Sequence, residues 1–162
     1  MSDYYSIKLP VAEVRQPARS PSLVIPSDGI MMRRRVEMFA KHFKREMRFD
    51  FPQFEASEQP GMYGYVPYEA YIFHEEARDI WFADGPVKQR FFGACCFRWR
   101  EWENSAAEWS LDWVWLHPYF RRRGFLANAW PKFKQKYGTF EVAQPLSCCM
   151  KEFMSAMQGT KC

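Results

Sequence analysis

Leu116-His117-Pro118-Tyr119-Phe120-Arg121-Arg122-Arg123-Gly124-Phe125-Leu126-Ala127 joins a tryptophan-rich apolar run, Trp109 to Leu116, to a segment in which Leu126, Trp130, Phe133 and Tyr137 recur at spacings of four, three and four. That recurrence is helical and the run before it is strand-like, so the stretch reads as strand, turn, helix. A helix N-terminus carries unpaired backbone N–H groups and about half a positive charge, which makes it a site for anions such as phosphate. Three consecutive arginines there repel one another and oppose the helix dipole. An anionic ligand removes both penalties, and Gly124, lacking a side chain, lets a ligand approach the backbone closely.

Working outward, the chain upstream supplies apolar runs and turn signals. Phe91 to Trp99 reads as a strong strand, Glu101 to Ala107 as a polar connection, and Trp109 to Leu116 as the next strand. Tyr68 to Phe73 and Asp79 to Ala83 are further strand-like pieces around Glu75-Glu76, with a turn signal at Asp84-Gly85-Pro86. Short connections between these strands predict an antiparallel meander. Downstream, the helix is expected to close at Gly138 and to kink or restart at Pro131. A short strand, Thr139 to Ala143, and a helix from Ser147 to about Gln158 follow. The fold class is therefore α/β (α+β): a single-domain mixed sheet with an antiparallel meander followed by strand-helix-strand-helix. Residues 1–21 read as an extended or mobile tail, and 22–162 as the domain.

Ser22 to Pro26 is the expected first strand, with Ser27 and Asp28 as N-cap candidates. The helix they introduce runs from about Ile30 to Arg48, with Met32, Val36, Phe39, Phe43 and Met47 as its apolar stripe and basic residues mostly elsewhere. From Phe49 to Pro67 the chain is rich in proline, glycine and aromatics, the composition of a functional loop.

The decisive stretch resembles the acetyl-CoA-binding motif of the GCN5-related N-acetyltransferases, (Arg/Gln)-x-x-Gly-x-(Gly/Ala), which follows a strand and opens a helix. Arg121 and Gly124 fall on the first two anchors, and Leu126 stands where the family prefers Gly or Ala. The resemblance covers residues 22–158 and is most specific from Trp109 to Phe153. It implies a GNAT-like fold and an N-acetyltransferase in which an amine attacks acetyl-CoA directly in a ternary complex. It further implies that the Leu116 backbone pairs with the pantetheine arm. The pyrophosphate would sit on the amides of Arg122, Arg123, Gly124, Phe125, Leu126 and Ala127, with Arg121 to Arg123 adding charge. The loop aromatics Phe51, Phe54, Tyr63 and Tyr65 would line an acceptor channel.

Strict alternation along Trp109 to Leu116 sets Ser110, Asp112, Val114 and Leu116 on one face and Trp109, Leu111, Trp113 and Trp115 on the other. Family members often carry a catalytic carboxylate on this strand, which makes Asp112 the candidate general base. The last helix lacks the Tyr many members use as general acid; Ser147 or Cys148 could substitute, though Ser147 is also a good N-cap.

The acceptor is left open: a protein lysine or N-terminus, a small amine, or aminoacyl-tRNA. The alternatives are a non-catalytic binding protein on the same fold, and a nucleic-acid-binding module using the basic helix Arg33 to Arg48. The formal charge of +4 permits nucleic acid without indicating it. With 48% hydrophobic and 19% aromatic residues the chain is globular. It has no apolar run long enough to span a membrane and no signal-peptide block at its start, so a cytoplasmic protein without membrane partners is expected. Cys95, Cys96, Cys148, Cys149 and Cys162 have neither disulfide-framework nor metal spacing, and they read as buried free thiols with no metal site. Neither a P-loop nor a dinucleotide-fold or hydrolase signature is present.

Overall fold

The fold is built on the two longest strands of the chain, Gln89–Trp102 (β4) and Ser105–Leu116 (β5), in a computed structural model that describes residues 7–14, 19–80 and 85–159. Around them lie β1 (Val11–Ala12), β2 (Ser22–Val24), α1 (Ile30–Met47), β3 (Tyr68–Glu76), α2 (Phe125–Tyr137), β6 (Glu141–Val142) and α3 (Cys148–Gly159). The sheet runs β2-β3-β4-β5-β6, with β1 added on β4. Every pairing is antiparallel except β5 with β6, which is parallel. This is the expected mixed α/β architecture in a single domain.

The central strands are apolar on both faces because both faces are covered. On β3, Tyr68, Ala70 and Ile72 point to one core and Tyr71 and Phe73 to the other. The first core is closed by Val36, Phe39, Ala40 and Phe43 of α1; the second by Ala129, Trp130, Phe133 and Tyr137 of α2 and by Met150 of α3. The predicted stripes of both helices are therefore the packed ones, and Val36, Phe39 and Phe43 contribute about 1.5–3 kcal/mol each. Pro131 lies exposed within a continuous α2, so the chain does not restart there. Gly138 ends it as expected, its N–H bonded to Lys134 O at 3.0 Å.

Other expectations change in detail. The polar connection Glu101–Ala107 is mostly strand: Trp102 pairs with Ser105, leaving only Glu103 and Asn104 as a hairpin turn. Solvated on both sides, this arm has no apolar alternation to betray it. Asp28 does not cap α1. Gly29 is the N-cap, and Asp28 Oδ2 instead accepts from Ile25 N at 2.7 Å to close the preceding turn. Arg78–Ile80 is a single 3-10 turn; the rest of the strand expected over Asp79–Ala83, like Asp84 of the turn signal, lies outside the described residues. Within the segment expected as a tail, Val11 and Ala12 pair with Arg90 and Gln89, and Phe91 N donates to Pro10 O at 3.0 Å; residues 1–6 and 15–18 lie outside the description.

Gly93 sets the closeness of β4 and β5. A Cβ there would stand 2.4 Å from Leu116 Cδ2 and 2.6 Å from Trp115 O, so only glycine permits the approach that places the end of β5. No helix among the described residues is long and apolar enough to cross a membrane.

Candidate functional site

The end of β5 opens onto a cleft of about 410 Å³. One wall is β5 from Val114 to Leu116, another the turn and first residues of α2, a third α3, and the floor comes from Phe43, Glu46 and Met47 of α1. The cleft exists because β6 pairs only with Ser110 and Leu111. Among the described residues no strand neighbours the outer edge of β5 beyond Leu111. His117 N donates to Phe92 O on the inner side at 2.8 Å, so the alternation turns the backbone groups of Val114 and Leu116 outward, toward the cleft.

The turn that follows is preorganised. Pro118 starts a 3-10 turn capped by His117, whose Nδ1 accepts from Tyr119 N at 3.1 Å. Arg122 and Gly124 then take left-handed conformations, φ 60° and 85°. Gly124 is the N-cap of α2 and provides no side-chain cap; the first helical bond runs from Asn128 N to Gly124 O at 2.8 Å. The N–H groups of Phe125, Leu126 and Ala127 therefore have no intrahelical acceptor, and all three residues line the cleft. This concave set of donors at the positive end of a helix is the arrangement the sequence motif predicts for an anion.

The three arginines separate by role. Arg121 is a strut: Nε donates to Leu116 O at 2.7 Å, while Nη1 and Nη2 form a bidentate pair with Glu46 at 2.8 and 2.7 Å. Its fork is spent on the fold, including the Leu116 carbonyl that the family resemblance assigned to a ligand. Arg122, exposed at the cleft, pairs with Glu152 at 2.5 Å. Arg123 stacks over the Tyr119 ring at 3.9 Å and does not line the cleft. Arg122 is thus the arginine side chain free to turn toward a cleft anion, since an exposed ion pair is weak.

Asp112 lies elsewhere than strict alternation placed it. The β4–β5 register slips there: Cys96 opposes Trp113 and Phe97 opposes Leu111, which leaves Asp112 as the extra residue of a bulge. The bulge flips the faces. Trp113 and Trp115 pack on the α1 side, Leu111, Val114 and Leu116 on the α2–α3 side. Asp112 does not share the Val114 and Leu116 face. It meets Arg100 Nη2 at 2.6 Å and Arg98 Nε at 3.4 Å. Its side chain is only 5% exposed, Oδ1 is closed off from solvent, and Ser110 is a further hydrogen-bonding neighbour of the carboxylate. Burial raises the carboxyl above the ordinary carboxylate range, against the pull of Arg100 and Arg98.

Asp112 borders two further spaces. One is a narrow neck of about 20 Å³ that shares Phe43, Val114, Ser147 and Met150 with the cleft. The other is a cavity of about 340 Å³ under the loop between α1 and β3. Arg98 builds that cavity: Nη1 donates to Glu58 at 2.9 Å and to Val66 O at 3.0 Å, and Nη2 to Gln53 O at 3.1 Å. Of the aromatics expected to line an acceptor channel, Tyr63 and Tyr65 border this cavity; Phe54 is buried edge-on against Tyr68, and Phe51 is exposed away from the cavity.

Ser147 Oγ accepts from Met150 N at 3.1 Å, the capping role, while the residue lines cleft and neck. Cys95 and Cys96 are buried thiols, Cys96 pushed up to about 12 by burial. Cys148 and Cys149 are exposed, contrary to expectation, because the first turn of α3 lies on the cleft rim; Cys162 is outside the described residues. Among the described residues no group of His, Cys, Asp and Glu is placed to hold a metal ion.

Arg98, Arg100, Glu46 and Glu58 were not singled out from sequence. The available signal was Arg98 itself, a charge inside the apolar run Phe91 to Trp99, which a buried strand tolerates only if paired. No family model matches the chain, and no match to a curated protein was found.

Proposed function

We propose that the chain is an acetyl-CoA-dependent N-acetyltransferase of the GCN5-related type. One observation carries the reading: an uncapped helix N-terminus, entered through left-handed Gly124, faces a cleft beside a strand edge that has lost its neighbour. The donor set fits the cofactor, with the N–H groups of Phe125, Leu126 and Ala127 available for the pyrophosphate and the Val114 backbone for an amide arm. Bound acetyl-CoA supplies an activated acyl carbon.

The chain's own residues orient the amine and manage its protons. Asp112, which borders both the small space beside the cleft and the loop cavity, takes the first proton from an incoming ammonium. Acetyl-CoA held on the N–H groups of Phe125, Leu126 and Ala127 would offer the neutral nitrogen an acyl carbon and a thiol leaving group able to take the surplus proton, and Asp112 would return its own proton to water. A raised pKa suits this role. Ser147 at the neck keeps its capping bond throughout.

The test is thiol release from acetyl-CoA in the presence of amines. Asp112→Asn should slow release while leaving cofactor affinity unchanged; an unaltered pH–rate profile in that variant would remove Asp112 as the base.

A second reading, a non-catalytic binding protein on the same scaffold, is favoured by the two arginines on Asp112 and the absence of Tyr from α3. It predicts cofactor binding without thiol release for any amine. The basic helix gives less support to a nucleic-acid reading: Arg33 donates to Asp28 O and Ala56 O, Arg35 covers Phe91, and Lys41 pairs with Glu37. Retention on a polyanion that falls steeply with salt, independent of coenzyme A, would favour it.

A further inference from the structure

Two surfaces of opposite charge face solvent far from the cleft chemistry, and each is the complement of the other. The first is the hairpin arm. β4 and β5 run past their neighbours: β3 ends opposite Arg98, with one last bond from Trp99 N to Pro67 O at 3.0 Å, and β6 pairs only with Ser110 and Leu111. Among the described residues, the strands from Arg100 to Trp109 pair only with each other, Arg100 opposite Glu108 and Trp102 opposite Ser105. A lone two-stranded ribbon is marginal in water, and open strand edges invite a partner. Residues 101–107 are exposed, and Trp102 keeps 52% of its surface in solvent. Glu101, Glu103 and Glu108 make the arm acidic, with no Lys or Arg between 101 and 109 in a chain of net charge +4. Glu101 accepts from Trp99 Nε1 at 3.3 Å, and none of the three carboxylates has an ion pair among the described residues.

The second surface is the outer face of α1, opposite the buried Val36, Phe39 and Phe43. At about 100° per residue, Arg34, Lys41 and Arg45 fall on one stripe, continued by Arg48 at the C-cap over about 20 Å. Arg34, Lys41 and Arg45 are exposed. Lys41 meets Glu37 at 3.1 Å, and Arg34 acts on the same carboxylate from further away. The side chains of Arg45 and Arg48 have no carboxylate partner among the described residues. These cations are not spent on the fold as Arg33 is, whose Nε donates to Asp28 O.

We infer that the partner of the arm is a second copy of this chain. The acidic arm of each protomer lies along the basic stripe of the other's α1, and the two identical contacts close a two-fold dimer. Trp102 supplies the apolar and aromatic part of the contact, a flat ring on which an arginine of the stripe stacks. A contact made mostly of exposed charges is modest, so the dimer dissociates with a constant on the order of 10–100 µM. The inference concerns a surface apart from the cleft and does not depend on what the cleft binds.

The experiment is sedimentation of the full chain across that concentration range at low and high salt, together with two charge-reversed variants. Glu101→Lys with Glu103→Lys reverses the arm, and Arg34→Glu with Arg45→Glu reverses the stripe. The parent should pass from monomer to dimer, and raising salt from about 0.05 to about 0.5 M should weaken the dimer about tenfold or more as screening tightens. Each variant alone should be monomeric, because like charges then face one another. An equimolar mixture of the two should dimerise like the parent, since the lysine arm meets the glutamate stripe and the native arm meets the native stripe. Misfolding cannot produce that rescue.

A parent that stays monomeric throughout would overturn the inference, and that measurement needs no variant. Dimers formed by either variant alone, or a mixture that stays monomeric while the parent dimerises, would overturn it as well. Growth beyond the dimer would replace the closed two-fold contact with an open chain. Binding of a duplex oligonucleotide by a monomeric parent, lost on reversing the stripe but not the arm, would assign the stripe to nucleic acid instead.

Discussion

Glu46 ties α1 to the end of β5, and its removal tests how the cleft floor is held. Its carboxylate accepts from Trp115 Nε1 at 2.7 Å and from both terminal nitrogens of Arg121. Trp115 is 2% exposed, so Glu46→Ala leaves its indole N–H without an acceptor, a cost of about 1–3 kcal/mol. The Arg121–Glu46 pair is 20% and 26% exposed, and its bidentate bonds are worth about 1–2 kcal/mol after allowance for solvent screening. The two losses share one side chain and do not add fully, so about 2–4 kcal/mol is expected in all. Glu46→Gln keeps an acceptor for the indole while losing the charge, and should cost only about half as much. Urea unfolding with an unchanged slope measures both differences. A Glu46→Ala loss below about 0.5 kcal/mol, or equal losses for the two variants, would show that the indole bond and ion pair do not hold the floor as argued.

Three further outcomes follow from the same geometry. Gly93→Ala should destabilise by about 1–3 kcal/mol or more, because its Cβ overlaps Leu116 and the Trp115 carbonyl; urea unfolding that matches the parent would refute the close approach. Burial holds the Asp112 pKa above its unfolded value, so the folded state binds that proton more tightly. The resulting stability is fully present below the unfolded pKa and lost as pH rises through the folded one. The parent should therefore lose stability relative to Asp112→Asn across that window, in urea titrations at a series of pH values. Finally, iodoacetamide with peptide mass spectrometry should label Cys148 and Cys149 and spare the buried Cys95 and Cys96; acetyl-CoA should slow Cys149 more than Cys148, since only Cys149 lines the cleft.

Where a pattern is set by helical or strand periodicity over a buried face, it was legible. Val36, Phe39 and Phe43, and likewise Trp130, Phe133 and Tyr137, lie where spacing alone put them. The turn at Gly124 was legible because a glycine between a strand and a helical stripe has few uses. What escaped depends on non-local register. One extra residue at Asp112 reverses the faces of Leu111 and Trp113, and no local signal announces a bulge. The Glu46–Arg121 and Glu58–Arg98 pairs join residues far apart in sequence, each individually indistinguishable from a surface charge. The extended hairpin arm was hidden because polar residues on both of its faces leave no alternation to read.

We propose that a pyrophosphate binds in the cleft at the start of α2. Calorimetric titration with acetyl-CoA, on the parent and on Gly124→Glu, tests it most directly. Glutamate at a position with φ 85° is strained and places negative charge beside the free N–H groups. The account predicts binding at about micromolar affinity in the parent, near 8 kcal/mol, and its loss in a Gly124→Glu protein that still unfolds cooperatively. No binding by the parent at millimolar cofactor, or undiminished binding by the variant, would contradict it.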